Sequence, residues 1–129
     1  MPKKLLAPPV CLACLKKDTS GNLRATTVLL KKIEKKDLNL ATEAELKKLK
    51  SMAQQALTNC RRCVDKCKKS AGPRCVANMK ELKKALKINT NAILRINKAL
   101  NIQGMMSDGA RARAETKLKE AAVRRGVTL

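Results

Sequence analysis

The sequence predicts an all-α protein, namely a small helical domain built on an antiparallel helical hairpin, stapled by cysteines, with an extended N-terminal arm. Two stripes of apolar residues carry this prediction, because their alternating steps of three and four positions place side chains on one helix face. No segment shows the alternation typical of a strand. We therefore divide the 129 residues into an arm at 1–21, a helical core at 22–103, and a loop with a basic helix at 104–129.

The first stripe predicts a helix at residues 42–69. Thr42 and Glu45 have the spacing of a capping box, which is a signature of a helix start. Gly72 and Pro73 mark the end of this segment and the beginning of the next helix. The stripe consists of Leu46, Leu49, Ala53, Ala56, Cys60, Cys63 and Cys67.

The second stripe predicts a helix at residues 73–102, and the short Gly-Pro turn before it predicts an antiparallel hairpin of these two helices. Asn89 interrupts the stripe and has two interpretations. A buried Asn can fix the register of packed helices, or the stretch "INTN" can be a break between two shorter helices. The stripe consists of Cys75, Met79, Leu82, Leu86, Asn89, Ile93, Ile96 and Leu100.

Two shorter helices are predicted on either side, at residues 22–36 and 109–125. Ser107 is a candidate N-cap for the second of these, and Glu115 and Lys119 are spaced to form an ion pair on it. Its apolar face is mainly alanine with Leu118, so this helix must pack on a neighbour to be stable. The stretch "NIQGMMSDG" before it is predicted to be a loop. The face of the first helix is predicted to contain Leu23, Thr27, Leu30 and Ile33.

The six cysteines divide into an isolated CxxC and a cluster of four. In the predicted hairpin Cys67 and Cys75 lie at the same height beside the turn, so we expect a disulfide between them. The remaining residues form two CxxC pairs that can meet if the N-terminal arm folds back over the helix at 42–69. These pairs are Cys11 with Cys14 and Cys60 with Cys63.

Several chemistries suit the two CxxC pairs. Two disulfides would staple a core that has no aromatic residues, and one four-cysteine zinc site would satisfy the same arrangement. Buried free thiols that act as small hydrophobic groups are a third interpretation. A redox CxxC enzyme is disfavoured, because the alternating strands and helices of thioredoxin-like proteins are missing. The cofactor prediction is therefore none, or one structural zinc ion.

The charge predicts an anionic partner. The chain has 30 Lys and Arg against 10 Asp and Glu, a net charge of +20, and the excess is spread over its whole length. Lysines outnumber arginines 21 to 9, which favours diffuse contact with phosphates over reading of bases. The candidate anion-binding residues are Lys3, Lys4, Lys31, Lys32, Lys35, Lys36, Arg61, Arg62, Lys83, Lys84, Arg111, Arg113, Arg124 and Arg125.

Missing residue types argue against several functions. The sequence contains no Phe, Tyr, Trp or His. Single-strand binders that stack bases on aromatic rings are thereby disfavoured, as are histidine-based catalysis and mixed Cys/His metal sites. We expect no enzyme activity and no small-molecule substrate. No apolar run approaches the roughly 18 residues of a membrane span, and Pro8 and Pro9 interrupt the only stretch that looks like a signal peptide.

The sequence therefore predicts a non-catalytic structural protein of a large assembly that contains nucleic acid. A small virion protein that bridges larger shell proteins fits best, in a virion or an intracellular nucleoprotein assembly. The alternative is a sequence-nonspecific protein that condenses nucleic acid, and a zinc-dependent regulatory binder is a weaker third. The expected partners are assembly proteins, the phosphate backbone of nucleic acid, or both.

Overall fold

The computed structural model describes residues 20–35, 37–67 and 73–129, and no strand occurs among them. The all-α prediction is confirmed, and the helix ends within these ranges differ from the predicted ones by at most two residues. Residues 1–19 of the predicted N-terminal arm lie outside the described residues, as do residues 68–72, where the turn is predicted, whereas Ser20 and Gly21 belong to the first helix. The helices are α1 at Ser20–Lys35, α2 at Glu43–Cys67, α3 at Pro73–Ile102 and α4 at Asp108–Arg124, with a 3-10 turn at Leu38–Leu40 between α1 and α2.

The predicted caps start α2 and α4. The hydroxyl of Thr42 accepts a hydrogen bond from the backbone N–H of Glu45 at 3.1 Å, as the capping box predicts. Before α4, the hydroxyl of Ser107 accepts one from the N–H of Ala110 at 3.2 Å. Each bond satisfies a backbone donor that has no partner within the helix. Both N-cap predictions are confirmed.

Glycines end α3 and α4 by the same motif. Gly104 and Gly126 both have φ +78°, in the left-handed region that glycine adopts without strain. After Gly104, the N–H of Met105 reaches back to the carbonyl of Leu100 at 2.8 Å, and Val127 bonds Ala122 in the same way at 3.0 Å. These bonds close Schellman motifs, so each helix stops at a defined position and the chain turns sharply.

The core lies mainly between α2 and α3, which make the most extensive helix-to-helix contact among the described residues. Both predicted stripes face it. Apart from Cys67 and Cys75, whose side chains are not among those described, every stripe residue is buried except Met79, which is half-buried. The stripes are extended by further buried residues, namely Leu57, Val64, Ala85, Thr90, Ala92 and Ala99.

The predicted face of α1 is only partly correct. Ile33 is buried as predicted, and the side chain of Leu23 is not among those described. Thr27 is exposed and Leu30 is only half-buried. Thr26 and Leu29 are buried instead. The reason is a polar contact with α3, in which the side-chain amide of Asn89 donates a hydrogen bond to the hydroxyl of Thr26 at 2.8 Å.

Asn89 also decides between the two interpretations of its own stretch. Helix α3 continues without interruption through "INTN", so the break is wrong. The Asn89 side chain is completely buried, and its amide also donates to the carbonyl of Ala85 at 2.9 Å. Asn89 therefore lies in the core, where its hydrogen bond to Thr26 joins α3 to α1.

Polar side chains at the end of α3 hold the neighbouring segments. The amide of Gln103 donates to the carbonyls of Asn39 and Ala41, at 3.0 and 2.9 Å, and thereby fixes the 3-10 turn. Asn101 donates to Met106 and Asp108, at 2.9 and 2.8 Å, and thereby positions the start of α4. Helix α4 packs on α3, which provides the neighbour that its alanine-rich face requires. None of the helices in the described ranges is long and apolar enough to cross a membrane.

A candidate anion-binding surface

The predicted anion-binding residues are distributed over all four helices. Those that are exposed are Lys31, Lys32, Lys35, Arg62, Lys84, Arg113 and Arg124, whereas Arg61, Lys83, Arg111 and Arg125 are half-buried. Lys3, Lys4 and Lys36 lie outside the described residues. The half-buried side chains differ most from one another in their hydrogen bonds and neighbouring charges. These contacts show which basic residues already interact with other parts of the chain.

Arg125 and Lys83 lie at the end of α4. The Arg125 guanidinium donates to both carboxylate oxygens of Asp65 in α2, at 3.1 and 2.9 Å, and to the carbonyl of Ala121 at 3.1 Å. A methyl group on Gly126 would lie 3.1 Å from Nζ of Lys83, so this ammonium also sits at the end of α4. Positive charge there complements the helix dipole. Arg125 therefore has structural partners in the chain, and Lys83 lies beside the same helix end.

Arg111 lies among acidic side chains. Together with Asp108 and Glu115 it lines one shallow depression on the first turns of α4. Glu115 accepts an ion-pair contact from Lys119 at 2.9 Å, which confirms the predicted pair. The hydrogen bond and charge of Lys119 lower the pKa of Glu115, and the charge of Arg111 lowers it further. Arg111 is thus partly neutralised by its own helix.

Arg61 has the least favourable surroundings of the predicted residues. Burial lowers the pKa of its guanidinium, and the positive charges of Arg125 and Arg124 lower it further, while Asp65 acts in the opposite direction. Its Nε is buried with no hydrogen-bond partner. Because Asp65 is already engaged by Arg125, Arg61 is a cation with incomplete compensation.

Arg61 also lines a groove that has a volume of about 400 Å³ and lies between α2, α3 and α4. Lys50 and Lys117 line it as well, and no acidic residue does. Apolar side chains from all three helices form part of its wall, namely Leu57, Ile93, Ala114 and Leu118, and the other lining residues are Gln54, Thr58 and Asn97.

Asn97 is the second unusual residue of this groove. Its side chain is only 2% exposed, and its Oδ1 is buried with no hydrogen-bond partner. A buried amide oxygen without a partner costs about 1–3 kcal/mol in stability. The groove therefore contains one donor and one acceptor that the fold leaves unsatisfied.

A smaller groove of about 300 Å³ lies between α1 and α2. It brings the predicted Lys32 and Lys35 together with Lys48, and Glu45 is its one acidic lining residue. Leu49 and Met52 supply its apolar wall. Glu45 takes part in the cap of α2, so this groove has both a cationic rim and a structural carboxylate.

The described residues test the cysteine predictions only in part, because Cys60 and Cys63 are the only cysteines whose side chains are described. Cys60 and Cys63 are buried one turn apart on α2. Burial raises the pKa of the Cys60 thiol to about 12. No group of three or more His, Cys, Asp or Glu side chains able to hold a metal occurs in 20–35, 37–67 and 73–129. Cys11 and Cys14 lie outside these ranges, so the disulfide and zinc interpretations both stay predictions.

Sequence reasoning missed Lys50, Lys117 and Asn97. A signal for the groove existed on α2, because Lys50, Gln54, Leu57 and Arg61 follow one another at helical spacing, directly beside the core stripe. No comparable signal marks Asn97, since its burial depends on how α2 and α4 pack against α3.

Comparisons of the chain with protein-family models, with curated proteins and with solved structures gave no match.

Proposed function

We propose that this chain is a non-catalytic, basic structural protein that binds the phosphate backbone of nucleic acid within a large assembly, a virus particle being the best candidate. The carrying observation is the charge that the fold leaves uncompensated. If each of the 10 carboxylates paired with one basic residue, 20 basic residues would still have no acidic partner. A folded domain with such an excess attracts polyanions at long range.

The distribution of the charge favours contact along a backbone over reading of a base sequence. Exposed lysines and arginines occur on each helix, and lysine, which makes point-charge contacts, predominates. The chain lacks aromatic rings on which unpaired bases stack. Assembly proteins are the second expected class of partner, since a component that bridges larger proteins must contact them as well.

Binding to oligonucleotides tests the proposed function. Full-length protein is titrated with labelled single-stranded and double-stranded oligonucleotides of several unrelated sequences, at a series of salt concentrations. We expect little sequence preference and a steep fall in affinity with rising salt, because bound phosphates release counterions. A tight, salt-insensitive preference for one sequence would contradict it.

A condensing protein is the alternative, and it differs in how it is held. A condensing protein is bound by electrostatics alone and leaves nucleic acid at high salt, whereas a structural component keeps its protein contacts. Fractionation of the native extract or particle in molar salt separates the two. Retention with the particle supports the assembly component, and release together with free nucleic-acid binding supports the condensing protein.

The finer architecture belongs to the same proposal. We infer an antiparallel hairpin of α2 and α3, tied by a disulfide between Cys67 and Cys75. The N-terminal arm then acts as a clasp, in which Cys11 and Cys14 meet the buried pair on α2 through two disulfides or one zinc ion. The position of Cys60 and Cys63 on one face of α2 supports this geometry.

Intact mass tests the clasp. The unreduced full-length protein is measured under native and then denaturing conditions. Three disulfides give a deficit of about six hydrogens, and zinc gives a metal-sized excess that denaturation removes. The clasp is rejected if all six thiols alkylate freely in the folded protein without reductant or chelator.

A further inference from the structure

We propose that the groove between α2, α3 and α4 binds one nucleotide, with the phosphate at Arg61, Lys50 and Lys117 and the base against the apolar wall beside Asn97. This inference rests on the proposed function and deepens it, because it assigns one defined nucleotide site to a protein whose other contacts are diffuse. The source of the nucleotide is a single strand of nucleic acid or a free mononucleotide.

The charge of the groove calls for an anion. Three cationic side chains from two helices line it with no acidic residue among them. Arg61 is the key cation, since Arg124 and Arg125 repel it and its nearest carboxylate is held by Arg125. A phosphate at this position relieves the repulsion and accepts hydrogen bonds from the guanidinium, which suits phosphate geometry.

The two unsatisfied atoms favour a nucleotide with its base over the phosphodiester backbone alone. Nε of Arg61 is a donor and Oδ1 of Asn97 is an acceptor, and neither has a hydrogen-bond partner. A phosphodiester group of nucleic acid can accept from Arg61, but it has no N–H or O–H group to offer to the amide oxygen of Asn97. A nucleobase with an exocyclic amino group carries such a donor on the same molecule as its phosphate.

The wall of the groove suits the flat face of a base. Leu57 and Ile93 are buried and Leu118 is half-buried, so the groove offers apolar contact between its cationic edges. Sites for small organic ligands combine such a wall with a few polar groups that fix orientation. Both unsatisfied atoms are buried, so their side chains must rotate to meet a ligand, as interface side chains commonly do.

Neighbouring arginines provide a matched pair of variants. Arg61→Gln and Arg62→Gln remove the same charge one residue apart, but Arg62 is exposed and does not line the groove. Binding of a single-stranded adenine 12-mer by the full-length proteins is compared at one salt concentration. We expect Arg61→Gln to weaken binding about tenfold or more, as for loss of a charged hydrogen bond, and Arg62→Gln to weaken it less than about threefold.

A second measurement tests whether the base contributes to binding and whether a free nucleotide binds. Adenosine monophosphate and ribose 5-phosphate, which carries the same phosphate without a base, are titrated into labelled protein and followed by NMR. We expect the nucleotide to bind more tightly and to shift the signals of Asn97 and Leu118. Asn97→Leu should reduce the preference for the nucleotide over the sugar phosphate and leave sugar-phosphate binding unchanged. Circular dichroism verifies that each variant is folded.

The outcomes separate the groove from the diffuse surface. Equal losses for Arg61→Gln and Arg62→Gln, or equal binding of nucleotide and sugar phosphate, overturn the groove and leave the proposed function in place. If the wild-type protein binds no 12-mer at low salt, the proposed function fails. Uptake of free adenosine monophosphate in the groove would then still support the site, and its absence would overturn both.

Discussion

The contact of α2 with α3 and the contact of α1 with α3 are built on different principles. Two long apolar stripes meet in the first, and Leu46, Leu82 and Leu86 are among its completely buried side chains. The second is organised around a buried hydrogen bond between Thr26 and Asn89. Burial of apolar area is nondirectional, whereas a hydrogen bond fixes distance and angle. The first contact supplies most of the core, and the second determines how α1 is rotated against it.

The difference explains why one contact was predictable and the other was not. When an apolar stripe contains seven or eight positions, no other face of the same helix is an equally good candidate for burial. In the short helix α1, two faces share Ile33, one through Thr27 and Leu30 and the other through Thr26 and Leu29. Periodicity cannot rank two such faces, but a buried side-chain N–H of Asn89 without an acceptor would cost about 1–3 kcal/mol. The face that offers a hydroxyl to Asn89 is the one that packs.

Loss of a large side chain from the α2–α3 contact should have the largest effect. Leu86→Ala removes a completely buried side chain and should lower the free energy of unfolding by about 2–5 kcal/mol, since the cavity cannot be filled. Chemical denaturation measures this. Lys87→Ala, at the exposed neighbouring position, should change stability by less than about 0.5 kcal/mol. Equal stability of Leu86→Ala and wild type would show that the contact is not the core.

A hydroxyl deletion in the α1–α3 contact should have a smaller effect. Thr26→Val keeps the shape of the side chain but removes the acceptor for Asn89, so stability should fall by about 1–2 kcal/mol. Thr58→Val makes the same change at an exposed position of α2 and should cost less than about 0.5 kcal/mol. If Thr26→Val costs no more than Thr58→Val, the bond to Asn89 does not hold α1 against α3.

The same distinction sets the limit of prediction for the candidate site. Arg61, Arg124 and Arg125 were predictable as charged positions, because the charge of a side chain is given by the sequence alone. Which of these arginines lacks a compensating carboxylate was not predictable, since it depends on which one Asp65 engages between α2 and α4. Asn97 could not be predicted as a site residue, for the same reason that the buried face of α1 was predicted incorrectly. The role of a polar side chain on a helix depends on its neighbours in space, which periodicity does not give.

The smallest change in the free energy of unfolding is expected for Cys60→Ala at neutral pH. At this position a small thiol side chain takes part in the α2–α3 contact. In the reduced, metal-free protein, burial raises the pKa of this thiol from its ordinary value of 9.0 to about 12. The folded state therefore retains a proton that the unfolded state releases between these two pH values. The contribution of the buried thiol is complete below about pH 9 and is lost as the pH rises towards 12.

Comparison of wild type with Cys60→Ala isolates this contribution, because the many lysines titrate in both proteins. With reductant and chelator present, the difference in unfolding free energy should be constant from pH 7 to about 9 and should then decrease as the pH rises. Iodoacetamide should accordingly label Cys60 in the folded protein far more slowly than in the unfolded chain at pH 8, since the thiolate is the reactive form. Rapid labelling of the folded protein would mean that this end of the α2–α3 contact opens readily, and a constant difference up to pH 11 would place the thiol in contact with water.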